Sequence, residues 1–383
     1  MLSIEAFSGA RIFTGDRFID DQAVLVHDGV ISDVIAEVAV PSGAIRRQLD
    51  GGMLVPGFVD AQVNGGGGAL FNERPDIETI ARIALAHARH GTTALLPTLI
   101  TDEPRKMTAA IGAVRDAISS GVPGVIGIHL EGPFLSEARK GAHDPALIRT
   151  MNDDDLATLV GTGLETRLLT VATESVSQEQ IARLVAGGVI VSLGHTNATC
   201  RQALDAAAAG ARGVTHLYNA MSPLAHREPG LVGAALECGT LWAGIIADGH
   251  HVDPAALRIA IRAKRGPGRL FLVTDAMPTA GDANDQFHLN GRVVTRRNGM
   301  LTLEDGTLAG SDLTMDAAVR FAVNALELEL AEALRMASLY PAEFLKLDAT
   351  RGRIAPGFRA DLVHLSDALL VKDVWIGGKP VAP

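Results

Sequence analysis

From about residue 54 the chain alternates between short apolar runs rich in β-branched residues and Ala-rich stretches with helical spacing. The apolar runs are LVPGFVDAQV, TALLPTLI, VIGIHLEG, LLTVATES, VIVSLGHT, GVTHLYNA, WAGIIADG and LFLVTDAM, eight in all. Between them IETIARIALAHARH, PRKMTAAIGAVRDAISS, SQEQIARLVAGG and TCRQALDAAAAG read as helices. Near-continuous apolar strands are buried on both faces, as in a parallel sheet covered by helices. Eight βα units predict an α/β fold, a (β/α)8 barrel of TIM type, which takes about 250 residues; residues 54–346 supply them. A doubly wound sheet is the alternative, but no G-x-G-x-x-G opens a first βα turn to support it.

The two ends of the chain read differently. In residues 1–53, GARIFTG, FIDDQAVLVHDG and VISDVIAEV alternate in part, with Gly15, Gly29 and Gly43 as punctuation. Residues 347–383, from GRIAPGFRADLVHL to VKDVWIGGKPV, have the same character. Neither end has enough apolar residues for a core of its own, so together they predict one small β-sandwich domain beside the barrel. After the eighth run, AGDANDQFHLNGRVVTRRNGMLTLEDGTLAGS breaks the rhythm. Its turns LNGR and RRNGM predict a β-hairpin insertion at about 282–310, placed to act as a lid over the barrel mouth.

Composition narrows the function classes. The net charge is −10 and no long basic run occurs, which argues against nucleic acid or a membrane surface as partner while leaving room for a small anion. The two cysteines, Cys200 and Cys238, have no metal-type spacing and exclude a disulfide framework, so a cytoplasmic location is expected. Cys200 reads as a small buried residue. No segment resembles a signal peptide, and no apolar run reaches the ~18 residues of a membrane span.

Barrel enzymes carry their reactive groups at the C-terminal ends of the strands. Polar residues close five of the eight runs: His129 and Glu131, His195, His216, Asp248 with His250 and His251, and Asp275. Glu131, His195 and His216 form a His₂Glu set suited to a divalent metal with an open position. Zinc fits, and imidazole with carboxylate also suits Fe²⁺ or Mn²⁺. A metal there lowers the pKa of bound water and polarises a carbonyl. Asp275 is the natural proton carrier beside it. His129 lies on the same strand face as Glu131 and reads as an interior packing or hydrogen-bonding residue. The first run ends in Asp60-Ala61-Gln62-Val63-Asn64, where many metal-dependent barrel hydrolases carry D-x-H-x-H. Neutral amides are poor substitutes for imidazole, so Gln62 and Asn64 predict a vacant second-metal position and about one metal per chain.

The motifs HLEGPFLSEARKGAH, SLGHTNAT, THLYNAMSPLAHREPG, ADGHHVD, LVTDAM and GTLAGS together resemble the N-acetylglucosamine-6-phosphate deacetylase family of the amidohydrolase superfamily, over nearly the whole chain. The resemblance implies that Glu131, His195 and His216 bind one divalent metal, zinc first, with iron, manganese or cobalt as alternatives. It implies Asp275 as the acid/base group and His143 as a catalytic partner that stabilises the oxyanion. Substrate contacts are implied for Ala142, His143, Asn219, Ala220, Arg227 and His251, and for a loop formed by Leu308, Ala309 and Gly310. Asn219 and Ala220 would supply backbone donors to a phosphate. A homodimer is implied, with Arg227 reaching the neighbouring active site. The expected reaction releases acetate from N-acetylglucosamine 6-phosphate. The alternatives are the galactosamine isomer, another amidohydrolase substrate such as a cyclic amide, or a non-catalytic scaffold on the same barrel.

Overall fold

The computed structural model describes residues 4–382. Eight parallel strands follow one another around the centre: β1 (Phe58–Val63), β2 (Thr92–Ile100), β3 (Gly127–Glu131), β4 (Thr166–Val171), β5 (Ile190–Leu193), β6 (Gly213–Val214), β7 (Trp242–Ile245) and β8 (Leu270–Leu272). Neighbours in sequence are neighbours in the sheet from β1 to β8, which makes it a TIM-type barrel. Every residue of these strands except Arg167 is buried, the physical reason the sequence reads as apolar runs instead of alternating ones.

The ring closes just beyond β8. The Asp275 N–H donates to the Gln62 carbonyl at 3.0 Å, and the Asn64 N–H to the Ala276 carbonyl at 2.9 Å. Buried Asp60 fastens the same seam by accepting from the Thr274 hydroxyl at 2.6 Å. The amide-bearing strand and Asp275 are therefore neighbours across the closure.

Local sequence sets the helix starts. Thr199 and Gln202 form a capping box before the helix Cys200–Ala208, and Ser177 with Gln180 does the same for Gln178–Ala186. These caps end the loops after β5 and β4 abruptly and hold the strand ends in place.

The chain ends build two sheets. One has four strands, in the order Val30–Ala36, Gln22–His27, Glu5–Ser8, Ile45–Gln48. The other has six, in the order Lys379–Pro380, Val371–Ile376, Leu362–Leu365, Met53–Pro56, Arg11–Phe13, Phe18–Ile19. A core of Phe7, Val24 and Ile31 from the first packs against Ile12, Leu54 and Trp375 from the second. Gly57 then separates Met53–Pro56 from β1.

The insertion after β8 is larger than one hairpin. Gln286–Leu289, Arg292–Arg297, Met300–Thr302 and Leu308–Ser311 form a four-stranded antiparallel sheet. Leu289, Val294, Leu301 and Ala309 pack against Leu70, Ile100 and Met277, which anchors the sheet to the barrel rim. No helix among the described residues is long and apolar enough to cross a membrane.

Candidate active site

Glu131 closes β3, His195 follows β5 and His216 follows β6. Their ligand atoms lie within 4.8 Å of one another and all three residues are buried. Glu131 Oε1 is 3.1 Å from His195 Nε2 and 2.9 Å from His216 Nε2, and the two imidazole nitrogens are 3.1 Å apart. The His195 Nδ1–H donates to the Arg139 carbonyl at 2.9 Å, which leaves the Nε2 lone pair for a metal. Burial pushes Glu131 upward, but hydrogen bonds from His195 and His216 outweigh it and hold the carboxyl well below its ordinary pKa. An anionic oxygen facing two imidazole nitrogens fits a divalent cation by donor chemistry and by spacing.

His195, His216 and Asp275 all hold positive φ, at 47°, 31° and 53°. Such backbone is uncommon outside glycine and costs about 1–3 kcal/mol where it occurs. The strain turns side chains at the ends of strands inward, toward a shared point.

Asp275 Oδ1 accepts from Gln62 Nε2 at 3.0 Å and from Asn64 Nδ2 at 2.7 Å, and Oδ2 keeps no protein donor among the described residues. Gln62 Nε2 also donates to Glu131 Oε2 at 3.1 Å. One amide thus bridges the two carboxylates. Burial, followed by the negative charge of Glu131, raises the Asp275 carboxyl from 3.8 to about 6. Asp60 lies outside the cluster, fastened to Thr274, and its burial raises it to about 7.

A cavity of about 390 Å³ opens above these groups. Ala142, His143, Asn219, Ala220, His251, Leu308 and Gly310 all reach its wall, together with the metal cluster, Asn64 and Asp275. His143 Nδ1 accepts from the Thr101 N–H and lies 2.8 Å from the Thr101 hydroxyl, so Nε2 carries the ring hydrogen. Burial, and then His195, lower its pKa to about 3; it stays a neutral donor at working pH. The His251 Nδ1–H donates to Asp248 Oδ2 at 2.6 Å. His250 is exposed, and His129 bonds to Thr98 and Thr170 inside the barrel, outside the metal cluster.

Two sequence expectations change, at Leu308–Gly310 and at Asn219. The segment Leu308–Ser311 is a strand, not a loop; alternation turns Leu308 and Gly310 to the cavity while Ala309 is buried with Leu289 and Val294. Gly310 has φ +64°, and a Cβ there would lie 2.5 Å from Met277 Cγ and 2.9 Å from the Asp275 carbonyl oxygen. The Asn219 N–H is already used by the His216 carbonyl at 3.0 Å, so of the expected backbone pair Ala220 is the one with a donor to offer. Arg227 is exposed and reaches no wall of its own chain's cavity. Glu228 does not pair with it; its Oε1 accepts from the N–H groups of Cys200 and Gly230.

Two polar side chains of the wall were not anticipated, Arg139 and Thr307. Arg139 follows the strand end by eight positions inside the EARKGAH motif, and its guanidinium donates to Asn197 Oδ1 at 3.0 and 2.8 Å. Only its place within a quoted motif marked it. Thr307 had no sequence signal beyond its place in GTLAGS.

The sequence and the fold are similar to those of known proteins. Residues 53–381 match the amidohydrolase family, and residues 6–54 match the NagA composite domain. The chain is 47% identical to a protein named N-acetylgalactosamine-6-phosphate deacetylase from Shewanella sp. (strain ANA-3), covering 97% of this chain and 94% of that one. It is 38% identical to the human protein named N-acetylglucosamine-6-phosphate deacetylase, covering 96% and 90%. The crystal structure of N-acetylglucosamine-6-phosphate deacetylase from Pasteurella multocida superposes with a TM-score of 0.95 at 34% identity, over 99% of this chain and 100% of that one.

Proposed function

The chain belongs to the amidohydrolase family, and from that premise we propose that it hydrolyses the acetamide of N-acetylglucosamine 6-phosphate, giving acetate and glucosamine 6-phosphate. The observation that carries the reading is the meeting of Glu131, His195, His216 and Asp275 at the floor of one cavity. A scaffold with a decayed site would have no reason to keep this set together. The galactosamine isomer is the second reading, favoured by the 47% identity to a relative named for it.

A divalent cation held by Glu131, His195 and His216, zinc before iron, manganese or cobalt, supplies Lewis acidity and acidifies water. The remaining work falls to the chain itself. Asp275 takes a proton from the attacking water through its free Oδ2 and returns it to the departing amine. Gln62 and Asn64 fix Asp275 through Oδ1, which keeps Oδ2 aimed at the cavity. The neutral His143 Nε2–H stabilises the negative charge that develops on the carbonyl oxygen. His251 and the Ala220 N–H contact the sugar phosphate.

Arg227, exposed and without a partner among the described residues, fits a homodimer in which it completes the phosphate site of the neighbouring subunit. Two unpaired thiols, Cys200 and Cys238, fit the cytoplasm.

The test is acetate release from N-acetylglucosamine 6-phosphate, from N-acetylgalactosamine 6-phosphate and from unphosphorylated N-acetylglucosamine. The phosphorylated sugars should dominate in kcat/KM. A charge-assisted contact contributes about 1.5–3 kcal/mol, so Arg227→Ala should lower kcat/KM by about 10–150-fold, and only for phosphorylated substrates. Equal turnover of the unphosphorylated sugar by wild-type enzyme would refute the phosphate site.

A further inference from the structure

An imidazole that binds a metal through one nitrogen satisfies the other with a hydrogen bond, and that partner fixes the ring's tautomer and orientation. His195 has such a partner in the Arg139 carbonyl. His216 does not: its Nδ1 is buried and has no protein partner among the described residues. A metal on Nε2 obliges Nδ1 to carry a hydrogen, and a buried N–H without an acceptor costs about 1–3 kcal/mol.

Inside the barrel, a small space lies against His216. Its polar lining comes from Gln62, His129, Ser192, Thr215 and His216. It offers about 10 Å³ to the centre of a water-sized sphere, which is about the space one water needs.

The polar groups around this space form an ordered chain. Thr98 Oγ1 accepts from the Val63 N–H at 2.8 Å and donates to the Leu96 carbonyl at 3.2 Å. Its only hydrogen is used, so His129 Nδ1, at 3.2 Å, is the donor between them. His129 Nε2 then accepts from the Thr170 hydroxyl at 2.8 Å. Thr170 accepts from Thr215 at 2.7 Å, and Thr215 from Ser192 at 2.8 Å. Every hydroxyl hydrogen points away from Ser192, so the chain ends on a buried oxygen whose lone pairs are open.

We propose that this space is a binding site for one water, which accepts from His216 Nδ1–H and donates to the oxygens of Ser192 and Thr215. The water gives His216 the partner that the protein does not, and Ser192 and Thr215 are positioning residues for it. The chain from Ser192 to Thr98 crosses five strands, so the orientation of a metal ligand is tied to the barrel wall. The proposal rests on the reading of Glu131, His195 and His216 as the ligand set.

A crystal structure of the metal-loaded wild-type protein, together with chelator-competition titrations, tests it. The expected result is an ordered water within hydrogen-bonding distance of both His216 Nδ1 and Ser192 Oγ. Thr215→Val and Ser192→Ala should each weaken metal affinity by about 10–100-fold, while Thr215→Ser, which keeps the hydroxyl, should hold wild-type affinity. A bound metal with no water beneath it overturns the proposal and leaves the ligand set standing. Variants that lose thermal stability but keep full metal affinity overturn the positioning role. Wild-type protein that folds and binds no metal overturns both.

Discussion

Asp275→Asn lowers kcat by about 10²–10⁴-fold, the usual contribution of a positioned acid/base group, while the protein keeps its metal and its affinity for substrate. The substitution is close to isosteric. The new side chain still offers an oxygen to Gln62 and Asn64, the two donors that hold Asp275 at 3.0 and 2.7 Å. It removes the one carboxylate in the cavity that has a free oxygen and no place among the metal ligands. Metal analysis and substrate binding should therefore be unchanged while turnover collapses. The pH profile carries a second signature. Burial and the charge of Glu131 raise Asp275 to about 6, and a base works only when ionised, so activity rises with pH through that pKa. A cation among Glu131, His195 and His216 cancels part of the repulsion, so the acid limb of the loaded enzyme should fall below 6. A variant that retains turnover, or an acid limb that stays in place without the carboxyl, would contradict the role.

Glu131→Gln abolishes tight metal binding. Glu131 is the anion of the cluster, and its Oε1 faces both imidazole nitrogens at 3.1 and 2.9 Å. Without its charge the ligand set is two neutral rings, and a divalent cation would be buried with no anion among its ligands. Outer-shell changes alone typically weaken metal affinity by about 10–100-fold, so loss of this ligand should exceed about 100-fold. Thermal unfolding reads the effect without reference to activity. Metal at about 100 times its dissociation constant stabilises the folded wild type by about 2.7 kcal/mol, and Glu131→Gln should show no such gain. A variant stabilised by metal as much as wild type would place the site elsewhere.

The barrel was legible because burial on both faces leaves a plain trace. TALLPTLI and VIGIHLEG contain few polar residues because no face of those strands meets water. The metal cluster was legible for a related reason: His195, His216 and Glu131 end otherwise apolar runs, where a polar side chain needs a partner. The geometry that makes them converge was hidden. Positive φ at His195, His216 and Asp275 runs against residue preference and is imposed by tertiary structure. The double role of Gln62 was equally invisible, since its partners Glu131 and Asp275 lie 69 and 213 positions away. The strand Leu308–Ser311 reads as a loop because Gly310 is a poor strand former; the close approach of Met277 and the Asp275 carbonyl is what requires a glycine there. Arg227 illustrates a different limit, because it has no hydrogen-bond or ion-pair partner among the described residues.

A single metal at Glu131, His195 and His216, with neutral amides in the place of a second, sets the stoichiometry of activation. Protein stripped with a chelator and titrated with zinc, while acetate release from N-acetylglucosamine 6-phosphate and from its galactosamine isomer is followed, tests it most directly. Activity should rise linearly from zero and saturate at one equivalent per chain, with no further gain at two. Activity in the stripped protein, or saturation only at two equivalents, would contradict it.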